Sequence, residues 1–132
     1  MLAMIPLLII PFIIFNLGLA GLFGPGDPFA AEIFSVQMMS GGTWTMTAGN
    51  LLVVVALLLL FGEMMKSTRT SRISIVDHLL SIVVFIIFLL EFLMVRGAAH
   101  PTFFTLMVIA LIDVLAGFAV SLRSSSRDVN LG

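Results

Sequence analysis

Four apolar runs, at about residues 2–23, 44–65, 75–95 and 102–122, take up most of this 132-residue chain. Each exceeds the roughly 18 to 20 apolar residues that a helix needs to cross the hydrocarbon core of a bilayer. That patterning predicts an all-α integral membrane protein whose outer faces meet lipid rather than water. Only 10% of the residues are charged and 61% are hydrophobic, against about 25% charged in a soluble domain. The expected architecture is a single membrane domain, residues 1–132, folded as an antiparallel bundle of four transmembrane helices.

The first run is expected to stay on the protein as a helix. No Lys or Arg precedes it, and it is longer than the usual 7 to 15 apolar residues of a signal peptide. Pro6 and Pro11 fall inside it, so a kink is expected there, with the freed carbonyls satisfied by neighbours.

Orientation follows from the basic residues. Lys66, Arg69 and Arg72 lie between the second and third runs, Arg123 and Arg127 follow the fourth, and only Arg96 is on the other side. Short loops enriched in Lys and Arg face the cytoplasm. Both termini are therefore expected inside, in a bacterial inner (cytoplasmic) membrane.

Three connections carry local signals. Ser74 through Asp77 has the form of a capping box, with the acid reaching back to the helix start. That gives Asp77 a structural role, with Arg69 or Arg72 as its charge partner. Glu63 and Lys66, three residues apart at the end of the second run, suit an interfacial ion pair. Gly97 and Pro101 bracket a tight turn before the fourth run. The loop 24–43 is the least regular part of the chain. Asp27-Pro28 reads as an N-cap followed by proline at the first helical position. The mostly apolar stretch after it, with Phe29, Ile33 and Phe34, reads as a short helix on the outer leaflet or as a partner-docking surface. Trp44 sits where an interfacial aromatic anchor belongs.

Few side chains are left for chemistry. Asp113 stands near the middle of the fourth run, where an ionised carboxylate must face the bundle, find a partner or stay protonated. Ala110, Asp113 and Gly117 share a helical face, which predicts close approach of another helix. Glu91, Asn50 and Asn16 fall at a similar outer depth and could form one polar cluster if their faces converge. Glu91 and Asp113 differ in depth by about 10 Å at 1.5 Å per residue, which argues against a carboxylate pair. His78 and His100 belong to opposite ends of the bundle, which excludes an internal bis-histidine haem. Cysteine is absent, which removes disulfides and thiolate metal ligands. No nucleophile with a base, no phosphate loop and no repeated metal-ligand spacing is found. No cofactor, no metal and no nucleic-acid partner is expected.

Several motifs carry a family resemblance: Ser40-Gly41-Gly42-Thr43-Trp44, Gly49-Asn50-Leu51-Leu52, and Glu63-Met64-Met65-Lys66-Ser67-Thr68-Arg69-Thr70. To these add Asp77-His78-Leu79-Leu80-Ser81, Asp113-Val114-Leu115-Ala116-Gly117-Phe118 and the closing Arg127-Asp128. Over about residues 40–128 the chain resembles a family of uncharacterised four-span bacterial inner-membrane proteins. It departs from them at Asn50, where they carry an acid. The resemblance implies topology and compartment, and it brings no activity with it.

The function expected from all this is not enzymatic. Small size, scarce polar groups and one apolar outer loop suit an accessory or structural subunit that packs against lipid and against other membrane subunits or copies of itself. Phe29, Ile33, Phe34 and Gly117 are the contact candidates. The alternative is a small homo-oligomeric cation or proton channel or transporter using Asp113 and Glu91.

Overall fold

The computed structural model describes the backbone of residues 5–67 and 72–131 and the side chains of residues 5–66 and 75–120. Arg69 lies outside the described residues, as do the side chains of Ser74, Arg72, Arg123 and Arg127. The chain is mostly helical. Helix α1 is Ile9–Leu19, α2 is Ala48–Ser67, α3 is Arg72–Met94 and α4 is Pro101–Leu131. Three stretches are long and apolar enough to cross a membrane: Ala48–Lys66, Ile75–Met94 and Pro101–Val120.

Helix α1 differs from the expected span. It holds 11 residues, about 16 Å at 1.5 Å per residue, where a hydrocarbon core measures about 30 Å. Its prolines set the start rather than a kink. Pro11 is the third helical residue, where a missing N–H removes no intrahelical bond. Gly21 stops the helix. With φ at 89° it closes a Schellman motif, Leu22 N–H donating to the Leu17 carbonyl at 3.1 Å and Gly21 N–H to Gly18 at 3.1 Å. Short as it is, α1 has neighbours at both ends of the bundle. Just before it, the Leu7 N–H meets Glu63 near the end of α2. At its far end, Leu19 packs against Gly97 beyond the end of α3.

The loop 24–43 corrects the expectation of a short helix. After a single 3-10 turn, Pro28–Ala30, the chain forms an antiparallel hairpin of β1, Glu32–Gln37, and β2, Thr43–Thr47. The second run thus begins as a strand and becomes helix only at Ala48. The physical cause is alternation. Phe34, Val36 and Met38 interleave with Ser35 and Gln37, and Trp44 and Met46 interleave with Thr43, Thr45 and Thr47. A period of two suits a half-buried strand and gives a helix no apolar stripe. Strand β2 feeds α2 without a linker, and the Ala48 N–H donates to the Ala31 carbonyl at 2.8 Å.

Helix α4 is the central element, packed against both α2 and α3. Its inward stripe is Phe103, Leu106, Met107, Ala110, Asp113 and Gly117, all buried, at the three- and four-residue spacing of one helix face. Phe12, Phe15, Phe88 and Phe103 make an aromatic core, with ring centroids 4.9 Å apart for Phe12–Phe88 and Phe15–Phe103 and 5.2 Å for Phe88–Phe103. Lipid tails are as apolar as these side chains, so packing, close approach and polar contacts hold such helices together. Close approach is visible at Gly117, where a Cβ would fall 2.4 Å from His78 Nδ1, and at Gly49, where it would fall 2.6 Å from Thr102 Oγ1.

Candidate functional site

Polar side chains gather at the two ends of the bundle. At the end where α2 stops and α3 begins, Lys66 is the hub. Its ammonium donates to Asp77 Oδ1 at 2.9 Å, to Glu63 Oε1 at 3.0 Å and to the Ile5 carbonyl at 2.9 Å. Glu63 Oε1 also accepts the Leu7 N–H at 2.6 Å. Glu63 is only 1% exposed and Asp77 4%, depths at which a carboxylate is stable only with such partners.

The origin of this cluster is local. Residues 5–7 precede α1, and the Ile9 N–H bonds the Pro6 carbonyl, so the Ile5 carbonyl and the Leu7 N–H take partners outside the helix. Lys66 supplies a donor for the first and Glu63 an acceptor for the second. Asp77 then neutralises the remaining demand of the ammonium from α3. Helix α3 is already running at Arg72, so Ser74 lies inside the first turn rather than at the cap. Asp77 lies three residues further in and pairs with Lys66 of the neighbouring helix, while Arg69 and the Arg72 side chain lie outside the described residues.

Asp113 extends the cluster into the bundle. It is buried on α4, with Ser81 of α3, Asp77 and Lys66 near enough to act on it. Ser81 also donates to the Asp77 carbonyl at 2.9 Å. Gly117, one face-repeat further along α4, is covered by the His78 ring.

At the opposite end Asp27 and His100 meet. Asp27 caps the Pro28–Ala30 turn by accepting the Phe29 N–H at 3.0 Å, and its other oxygen lies 2.8 Å from His100 Nε2. His100 Nδ1 accepts the Thr102 N–H at 3.0 Å. A backbone N–H can only donate, so the proton of the neutral ring is on Nε2 and points at Asp27. The His100 hydrogen bond outweighs the opposing effect of burial and, with the Phe29 N–H, lowers the Asp27 carboxyl from its usual value. The His100 ring also sits edge-on to Phe15 and Phe29. The two histidines thus have separate surroundings at the two ends.

The outer trio is only partly assembled. Asn16 of α1 lies near Glu91 of α3, and its amide donates to the Phe12 carbonyl at 2.9 Å. Among the described residues, Glu91 Oε2 is buried without a hydrogen-bond partner. Asn50 is not with them: it is exposed on the first turn of α2, its N–H bonded to Thr47 Oγ1 at 3.2 Å. Glu91 and Asp113 have different neighbours and do not pair.

Of the contact candidates, Phe29 and Gly117 are buried within the chain itself. Phe29 stacks on Phe15 at 4.6 Å and fills the space left by Gly18 and Gly49. Ile33 and Phe34 are exposed on β1. Strand pairing Phe34↔Met46 and Val36↔Trp44 puts those four on one face, with the Phe34 and Trp44 rings edge to face at 5.1 Å. Ser35↔Thr45 and Gln37↔Thr43 form the other face, the first pair joined hydroxyl to hydroxyl at 2.8 Å. The hairpin is amphipathic, and its apolar face stays open: Phe34 is 38% and Trp44 45% exposed.

Among the described residues no three His, Cys, Asp or Glu side chains come together as metal ligands. Among the described residues, Glu63 and Asp77 are engaged by Lys66 and, for Glu63, by the Leu7 backbone, an arrangement that ties helices together. Comparison with protein-family models, with curated proteins and with solved structures finds no match.

Proposed function

We propose that the chain is a non-catalytic accessory subunit of a larger complex in a bacterial inner membrane, with both termini cytoplasmic and α1 completing a four-helix membrane domain. The observation that carries this reading is the amphipathic hairpin. Two strands alone are marginal in water, and this pair keeps an apolar face on which Phe34, Val36 and Trp44 are exposed and Met46 is half-buried. An exposed apolar face rimmed by polar residues is the usual mark of a protein contact. The other polar groups point the same way, since they are engaged in holding helices to one another.

The test is purification from the native membrane in a mild, lipid-preserving detergent, with identification of every co-migrating chain. A defined set of larger subunits, lost in a Phe34→Ser/Trp44→Ser variant that still inserts, is the expected result. A monodisperse chain or homo-oligomer without partners overturns it.

A homo-oligomeric cation or proton channel using Asp113 and Glu91 finds less support. Phe88 lies between Ser81 and Glu91 along α3 and packs against Phe12 and Phe103 in the buried aromatic core.

A further inference from the structure

Beneath the hairpin, α1 and α2 stand apart and leave a cavity of about 320 Å³. Its walls include Ile14 of α1, Leu51, Leu52 and Val55 of α2, Ile33 of β1 and the Phe29 ring. No lining residue carries a polar side chain. The gap is built in. Phe29 is wedged between Gly18 of α1 and Gly49 of α2, where a Cβ on either glycine would fall 2.6 Å from the ring's Cζ or 3.0 Å from the Phe29 carbonyl oxygen. That wedge sets the helix spacing at this end, so the space below cannot close by sliding α1 onto α2.

What fills it follows from depth and chemistry. The α2 wall lies in the first two turns of the apolar stretch Ala48–Lys66, about 5 to 10 Å below its start at 1.5 Å per residue. The mouth is continuous with the outward surface of that helix, where Leu51 and Val54 are exposed. In a bilayer that surface meets hydrocarbon. Water would lack the two to four polar partners that an internal water needs. A quinone head group would find no side chain to donate to its carbonyls, and burying them unpaired is costly. A saturated chain has no such demand.

We infer that this cavity is a binding site for one acyl chain of an outer-leaflet phospholipid, held between α1, α2 and the hairpin base. The lipid takes the place of the missing helix–helix contact.

The test uses the full chain in vesicles of phosphatidylethanolamine and phosphatidylglycerol containing a phosphatidylethanolamine with a mid-chain diazirine. After photolysis, adducts at Ile33, Leu51 and Val55 are expected several-fold above those at Leu90 and Phe104, which are exposed on other helices. Ala31→Trp, at an exposed residue on the cavity wall, should bring the excess down to the Leu90 level. Even labelling of all these residues, an excess unchanged in Ala31→Trp, or cross-links from these residues to a second protein chain instead of lipid each overturns the proposal. Native mass spectrometry of the unaltered chain gives an independent readout. One discrete phospholipid adduct surviving delipidation is expected, and a bare chain overturns it.

Discussion

Lys66 Nζ of α2 and Asp77 Oδ1 of α3 are 2.9 Å apart, and the same ammonium holds Glu63 and the Ile5 carbonyl. One cation therefore joins three segments that the chain visits far apart in sequence. Removing one partner of a buried charge set costs more than replacing the whole set, because the survivors stay buried without compensation.

Lys66→Met should consequently lower stability by about 3 kcal/mol. The neutral triple variant Glu63→Gln/Lys66→Met/Asp77→Asn should recover more than half of that loss. Unfolding in mixed detergent micelles measures both, and equal losses in the two variants would sink the idea of a charge-balanced hub.

Gly49→Ala should cost about 1 to 3 kcal/mol by overpacking, since its Cβ would come 3.0 Å from the Phe29 carbonyl oxygen and 2.6 Å from Thr102 Oγ1. Gly42→Ala, whose nearest neighbour would be Ser40 Oγ at 3.5 Å, should stay within about 0.5 kcal/mol of the parent. Thermal unfolding of the pair side by side separates a local clash from a general dislike of alanine.

Acid should loosen the hairpin base through Asp27. Its folded-state pKa lies below the unfolded value because His100 and the Phe29 N–H stabilise the carboxylate. Such a group adds stability above its unfolded pKa, and that stability is lost as pH falls through the folded one. The Tm advantage of the parent over Asp27→Asn should shrink as the pH falls below the ordinary carboxylate range. A difference that does not change with pH contradicts this.

Orientation can be read chemically because the chain has no cysteine. With both termini cytoplasmic, Ser40→Cys in the hairpin turn should react with a membrane-impermeant maleimide in intact cells, and Ser67→Cys only after permeabilisation. The opposite pattern inverts the topology.

The three long helices were legible because a bilayer makes one demand, length of apolar sequence, and residues 44–65, 75–95 and 102–122 meet it on composition alone. The hairpin was equally present in the sequence, in the alternation of Phe34, Val36 and Met38 with Ser35 and Gln37 and in the Gly41-Gly42 turn. Strand β2 escaped because Trp44 and Met46 merge with the apolar run that follows. The pairing of Asp77 with Lys66 was not legible. A capping signal at Ser74 and nearby arginines offered a local account, whereas Lys66 reaches it only because α2 and α3 pack side by side. Asn16 and Asn50 illustrate the same limit: similar depths are readable, but which way a nearly uniform apolar helix is turned is not.

The absence of any linker between Thr47 of β2 and Ala48 of α2 makes the hairpin the handle of a lever. A load on its apolar face passes without a joint into a 20-residue helix. It emerges about 30 Å away, by helix rise, at the lysine that holds α3 and the start of α1 in place. Whatever seats itself on the hairpin therefore has a direct mechanical route to the opposite end of the bundle.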